Sequence, residues 1–471
     1  MKHTHMLTIV SLLVAASMLL AACGPAATPA PAPQPTQAPA QPAATQPPAV
    51  QPTKAPAATQ PPAPTQPPAK QMVTIRWRTR PDNKAEQDVY QAISDDLSKQ
   101  LEPQGIKLQY DPAPVTGYLD KLTTEFSAGN APDIVWIPGA SVADYATKNV
   151  LLDLKPIADK DSSFKLADYY DAPIKELTQG GTKLWGLPRD ISTLVIYYNK
   201  DMFKAKGVDD PADLAKAGKW DWDNFMRVAK ALTDPAKKTY GFSMTNWWGP
   251  WGWFVYAAGG SLFNADRTAC GMTDPKSQAG LQFMQNIFQK EKVATIPGVE
   301  GGVGETEFIA GQAGMIPNGR WMTPAMRANA KFDWGVVEMP KGPGGNSTWL
   351  FWGPYVVAAK TKNPNEAWAV VKALTSADVQ GKVAALGTNI PSNKAKAGVD
   401  AFMNSKPPAD NTPFIAGAAY SQAEIPLFTG NWDEIVNGQY QPQIDQILSG
   451  KATVADATKK MCDGANPKFK K

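Results

Sequence analysis

Histidine is almost absent from this chain. Its 471 residues hold two, His3 and His5, both at the extreme N-terminus. Once a leader covering them is removed, as argued below, none is left. That excludes a Ser-His-Asp triad, a Cys-His pair and any His-ligated zinc or iron site. Catalysis would have to run on carboxylates, Lys, Tyr, Ser or backbone groups. Cysteine is scarce too, with Cys23, Cys270 and Cys462 the only three. An excess of one charge is also lacking: 47 Lys plus Arg against 43 Asp plus Glu leaves +4, without the basic stripe of a nucleic-acid binder. No phosphate-cradling GxxxxGK-Ser/Thr motif occurs, so the chain is not an ATPase. Residues 159–163, Asp-Lys-Asp-Ser-Ser, echo a calcium loop but lack its turn glycine and final Glu. No metal and no cofactor is expected.

What is present begins with an export signal. Lys2 precedes an uncharged run over residues 6–22 that ends in small residues, the pattern of a secretory leader. Leu20-Ala21-Ala22-Cys23 is similar to the lipobox of bacterial lipoproteins. That resemblance implies cleavage before Cys23 and attachment of a diacylglycerol, often with a third acyl chain, to its new N-terminus. More than one chain gives stable anchoring, so the protein is expected outside the cytoplasm, held on the cell membrane. Residues 24–71 hold 16 of the 43 prolines and are otherwise nearly all Ala, Gln and Thr. Such a segment cannot bury enough apolar surface to offset ordering. As polyproline II it would reach roughly 150 Å when fully extended. It reads as a disordered tether.

The remaining residues 72–471 are too many for one hydrophobic core and suit two lobes. Residues 73–77 read as a strand, and 84–101 as a helix with Val89, Ile93, Leu97 and Leu101 on one face. A strand over 106–110, a helix over 118–126 and a buried strand over 133–137 follow. This rhythm predicts an α/β fold with a mostly parallel sheet, whose ligands sit beyond the carboxyl ends of the strands. Those ends are Arg80-Pro81-Asp82 and Pro138-Gly139-Ala140-Ser141. Asp221, Asp274-Pro275, Asn363-Pro364 and Ser376 each mark a helix start, and 453–462 reads as a terminal helix. Trp222 and Trp368, on amphipathic helices, belong to the core. Residues 247–253, Trp-Trp-Gly-Pro-Trp-Gly-Trp, read as a loop because of their Gly and Pro.

Five ordered segments resemble one family. They are Ala131-Pro132-Asp133-Ile134-Val135 with Leu151-Leu152-Asp153-Leu154; Gly186-Leu187-Pro188 followed by Ile196-Tyr197-Tyr198-Asn199-Lys200-Asp201-Met202-Phe203; and the run from Phe308 to Met315. Asn318-Gly319-Arg320-Trp321 and the stretch over 333–360 complete the set. Together they are similar to the bacterial extracellular solute-binding proteins of the maltose-binding-protein superfamily, which capture substrate for ATP-driven sugar importers. The resemblance implies a type II, two-lobed periplasmic-binding-protein-like fold with three hinge crossovers and a ligand cleft between the lobes. It implies an N-terminal lobe of 72–188 plus 352–394 and a C-terminal lobe of 189–351 plus 395–471. It also implies no catalysis, a monomer, a sugar as ligand, and the permease subunits of an ABC importer as partners.

The ligand residues follow from the chemistry of a pyranose. Its apolar C–H face suits a flat aromatic, and its rim of hydroxyls needs polar partners. All 15 tryptophans lie after Met72. Trp248 or Trp251 of the aromatic run is a candidate, with a packed aromatic mini-core as the alternative for at least two of its four rings. Trp321 and Trp432 sit where the resemblance puts stacking residues. Trp352 lines the cleft or braces the hinge, and Trp136 ends a strand near it. Arg80, Asp82, Arg189, Asp190, Asn318 and Arg320 are the polar candidates, each with a surface salt bridge or loop cap as its alternative. The family's pattern has a carboxylate slightly later than Asp190, where this chain has Ser192. Cys270 and Cys462, in an oxidising setting, suggest a disulfide, with two free buried thiols as the alternative. Two rival functions keep their place: a surface glycosidase using paired carboxylates, and the same fold carrying a peptide, polyamine or glycerol phosphate.

Overall fold

The structure is a computed structural model and describes residues 71–81, 83–114, 116–297 and 304–470. The leader, Cys23 and nearly all of the tether lie outside these residues, as does Asp82.

The first elements arise where the sequence pattern puts them. Strand β1 (Val73–Arg78) is followed by helix α1 (Lys84–Leu101) and strand β2 (Ile106–Tyr110). Asn83 caps α1 by accepting the Glu86 N–H at 3.0 Å, satisfying one of the orphan donors of the first turn. Its buried face is Tyr90, Ile93, Leu97 and Leu101. In β2, Ile106, Leu108 and Tyr110 are buried while Lys107 and Gln109 are exposed, the two-residue period of a half-covered strand. Helix α2 (Tyr118–Ala128), strand β3 (Ile134–Trp136), helix α3 (Val142–Thr147) and helix α4 (Asp171–Leu177) come next. Strands β4 (Leu187–Thr193) and β5 (Val195–Asn199) then run almost end to end.

The sheet differs from the expectation of a mostly parallel one. β1 pairs in parallel with β2 and β3. The long strand β8 (Thr348–Val357) returns antiparallel between β3 and β4, and β9 (Ser421–Ala423) adds to its side in parallel. The order is β2-β1-β3-β8-β4. Mixed pairing results because β8 re-enters from a distant part of the chain rather than through a βαβ crossover. Every residue of β8 is buried. A second sheet sets β5 between β6 (Met315–Asn318) and β7 (Trp334–Val337), all antiparallel.

Helix α5 (Trp222–Leu232) is capped by Asp221, and α7 (Pro275–Gln285) by Asp274. Trp222 and, on helix α8 (Pro364–Leu374), Trp368 are buried. Between α5 and α7 lies a correction: residues 248–257 form helix α6 (Trp248–Ala257) rather than a loop. Pro250 falls in the first turn, where its missing N–H is not needed. The glycines serve ring packing. A Cβ on Gly252 would fall 3.0 Å from Trp349, and one on Gly249 would fall 2.4 Å from Trp247. Tertiary packing overrides their poor helix propensity. Near the C-terminus, helix α9 (Val454–Ala465) is capped by Thr453 and carries Cys462, which is disulfide-bonded to Cys270. Asp161, in the segment that echoes a calcium loop, is claimed by Lys372 and by the Trp368 indole N–H at 2.8 Å. Among the described residues no helix is long and apolar enough to cross a membrane, and no acidic or His/Cys cluster suits a metal ion.

Candidate functional site

A cleft of about 1070 Å³ opens where the carboxyl ends of β1 and β3, the strands β4 and β8, and the start of α6 converge. Of the residues singled out from sequence, Arg80, Trp136, Asp190, Trp248, Trp321, Trp352 and Trp432 line it.

One wall is aromatic. Trp247 meets Trp248 edge to face at 5.2 Å between centroids, and Trp321 lies 6.3 Å from Trp247. Phe351 is 5.3 Å from both Trp247 and Trp321. Trp432 closes the set at 5.0 Å from Trp248. Trp247, Trp248 and Trp321 keep part of their surface exposed, whereas Trp432 is buried and backs the wall. Four indoles of the site rest on glycines. A Cβ would fall 2.6 Å from Trp352 if placed on Gly139, and 2.1 Å from Trp136 if placed on Gly353. On Gly249 it would fall 2.4 Å from Trp247, and on Gly319 it would fall 2.1 Å from Trp321. None of these glycines has a positive φ, so the requirement is for space alone.

The other side is charged and ordered. The guanidinium carbons of Arg80 and Arg189 lie 5.2 and 4.7 Å from the Trp136 ring centroid, within cation–π range. Arg189 donates to Asp190 at 2.6 Å and to the Thr79 hydroxyl at 2.9 Å. Asp190 is thus held in place with its charge compensated. The neighbouring Ser192 hydroxyl accepts the Arg320 backbone N–H at 2.9 Å.

Four sequence candidates need separate treatment. Trp251 is fully buried and donates to Gln441 at 2.8 Å; it packs in the core, while Trp248, one turn earlier on α6, keeps part of its surface open and lines the cleft. Arg320 is fully buried, 4.8 and 5.1 Å from the rings of Phe402 and Phe414. Its donors go to Asn411 and to the Ser405 carbonyl, and burial lowers its pKa to about 10. It braces the fold instead of lining the cleft. Asn318 is also buried, but it acts on the cleft indirectly by donating to Glu305 at 2.7 Å. Asp82 falls outside the described residues.

The structure adds residues that sequence reasoning passed over. Trp247, Phe351, Glu305 and Glu424 all line the cleft. Glu424 is buried, with only 3% of its surface accessible. Its carboxylate accepts the Ala140 N–H at 3.0 Å and, more loosely, the Trp352 N–H at 3.5 Å, while its carbonyl takes the Trp352 indole N–H at 3.1 Å. Burial pushes its pKa up to about 7 against these N–H bonds, which favour the charged form. A lone acid in the uncharged run over 411–432 was its only sequence signal. The buried indole N–H groups of Trp136 and Trp432 find no acceptor among the described residues.

Comparison with known proteins agrees with this architecture. The sequence profile of the family described as bacterial extracellular solute-binding protein matches residues 83–381. A maltooligosaccharide ABC transporter solute-binding lipoprotein of Streptococcus pneumoniae is 26% identical over 325 residues, covering 64% of this chain and 70% of its own. An ABC substrate-binding protein of Listeria monocytogenes, solved in complex with cycloalternan, superposes with a TM-score of 0.74 at 23% identity, covering 84% of this chain and 98% of the other. The cyclic α-maltosyl-1,6-maltose binding protein of Arthrobacter globiformis gives 0.70 at 20%, covering 84% and 98%. The fold is therefore the two-lobed, type II solute-binding one.

Proposed function

The chain belongs to the family of bacterial extracellular solute-binding proteins, and from that premise we propose that it captures an oligosaccharide in the cleft and delivers it to an ABC-type importer. It does so from the outer face of the cell membrane, anchored through acylated Cys23, with residues 24–71 as the tether. The lobes are 72–188 plus 352–394 and 189–351 plus 395–471, and the molecule acts as a monomer without catalysis. The observation that carries the reading is the wall of partly exposed rings, Trp247, Trp248 and Trp321, facing ordered polar groups. Stacking one sugar face on an indole removes about 100 Å² of apolar surface from water, worth roughly 2–3 kcal/mol. Ser192, Glu305 and Asp190 then serve the hydroxyls. The names of the Streptococcus, Listeria and Arthrobacter proteins, all concerned with saccharides, point the same way.

The cleft carboxylates disfavour the glycosidase alternative. Asp190 is neutralised by Arg189 and Glu305 is tied to Asn318. Glu424, the cleft carboxyl with a raised pKa, is buried and turns its oxygens to the Ala140 and Trp352 N–H groups, so it does not supply the acid of the exposed pair that a hydrolase needs. Titrating intrinsic tryptophan fluorescence with linear and cyclic oligosaccharides, and analysing each mixture for shorter products, tests the reading. A saturable change with intact sugar is expected. Shorter products, or silence across the panel with a response to a peptide, polyamine or glycerol phosphate, would overturn it.

A further inference from the structure

One ion pair lies apart from the cleft and is not used by it. Both carboxylate oxygens of Glu176, on α4, accept from Arg267 Nη1 and Nη2 at 2.7 Å each. The side chains are 10% and 33% exposed. This is the two-pronged geometry in which an Arg–carboxylate pair is strong and directional. Arg267 is held by several contacts of its loop. Its φ of +56° lies in the left-handed region, which is uncommon for a non-glycine residue. Its carbonyl accepts the Thr429 hydroxyl. Asn264 accepts the N–H groups of Thr268 and Ala269 at 2.7 and 3.0 Å. Cys270, three residues on, donates its N–H to Asn466 at 2.9 Å and is disulfide-bonded to Cys462.

On the lobe assignment proposed above, Glu176 belongs to the N-terminal lobe and Arg267 to the C-terminal one. Other long-range ion pairs, such as Arg78–Glu125, Lys200–Asp333 and Lys372–Asp161, each stay within one lobe. We infer that the Glu176–Arg267 pair is a clasp between the lobes that sets the balance between arrangements of the hinge. A contact made in one arrangement and lost in another shifts ligand affinity by its difference in free energy between the two.

The test uses the full chain labelled with 5-fluorotryptophan, its fluorine resonances assigned by single Trp→Phe variants. In ligand-free Glu176→Gln and Arg267→Ala, the Trp136 and Trp432 lines, which report the two walls of the cleft, are expected to shift or broaden. Those of the core residues Trp77 and Trp253 hold. The charge-reversed double variant E176R/R267E returns the lines toward the wild type. For any saccharide that binds, both single variants change the dissociation constant by about three- to tenfold, and the double variant restores it. Unmoved cleft lines in both single variants would overturn the clasp, as would failure of the reversed pair to restore a shift. The spectra need no ligand, so a saccharide panel that fails on the wild type refutes the sugar reading and leaves the clasp to be decided separately.

Discussion

Replacing Glu424 by Gln isolates the pH dependence of one buried carboxyl. In the fold its pKa stands near 7, against an ordinary value of 4.5, because burial penalises the charged form. The folded state therefore holds this proton more tightly than the unfolded chain does. The stability it contributes is fully present below pH 4.5, declines as the pH rises, and is gone above about 7. A shift of that size, at about 1.4 kcal/mol per pH unit, amounts to about 3 kcal/mol. Other carboxylates titrate over the same range, so the quantity to measure is the difference between wild type and E424Q. Urea unfolding of both proteins at half-unit steps from pH 4.5 to 8 gives it. The stability of the wild type relative to E424Q is expected to fall by about 3 kcal/mol across that span. The slope is the readout, because an amide brings donors that the carboxyl lacks and offsets the whole curve. A flat difference, or one that rises with pH, would refute the claim that burial outweighs the backbone N–H bonds at this site.

Other outcomes follow from the same geometry. Trp321→Ala should raise the dissociation constant for the bound saccharide about thirtyfold or more, from roughly 2 kcal/mol of lost stacking, with little change in unfolding midpoint. Trp251→Ala should do the reverse, costing about 3–5 kcal/mol of stability as a fully buried ring is removed; calorimetry and titration on the two variants separate the roles. Gly319→Ala should weaken binding while leaving the circular dichroism spectrum intact, because the intruding methyl displaces the partly exposed Trp321 ring. The double variant C270S/C462S should unfold at lower urea, by about 5 kcal/mol for a bond spanning 192 residues.

Local rules were legible in the sequence to the extent that local physics decides them. The extent of α1, the alternation in β2 and the caps at Asp221 and Asp274 need only periodicity and a side chain that reaches back to its own helix. Residues 248–257 did not yield to that approach, because Gly249 and Gly252 are there for Trp247 and Trp349, and nothing local reveals those neighbours. The same limit explains the site. The resemblance brought Asn318, Arg320 and Trp321 forward together, but a segment match does not say which side chain turns outward. All four residues of β6, Asn318 among them, are buried, so alternation offers no guide. Glu424 becomes visible only when its long-range contact with Ala140, 284 positions away, is formed.

The glycines beneath the indoles bear on how cargo is inherited. Much of the cleft's shape is recorded in positions that have no side chain. A relative could keep every tryptophan and still present a different surface if Gly139, Gly249, Gly319 or Gly353 were exchanged for alanine. For inferring which solute a given relative carries, those four positions are worth reading alongside the rings they support. Drift of ligand preference within such a lineage would then start with one added carbon atom, before any contact residue changes.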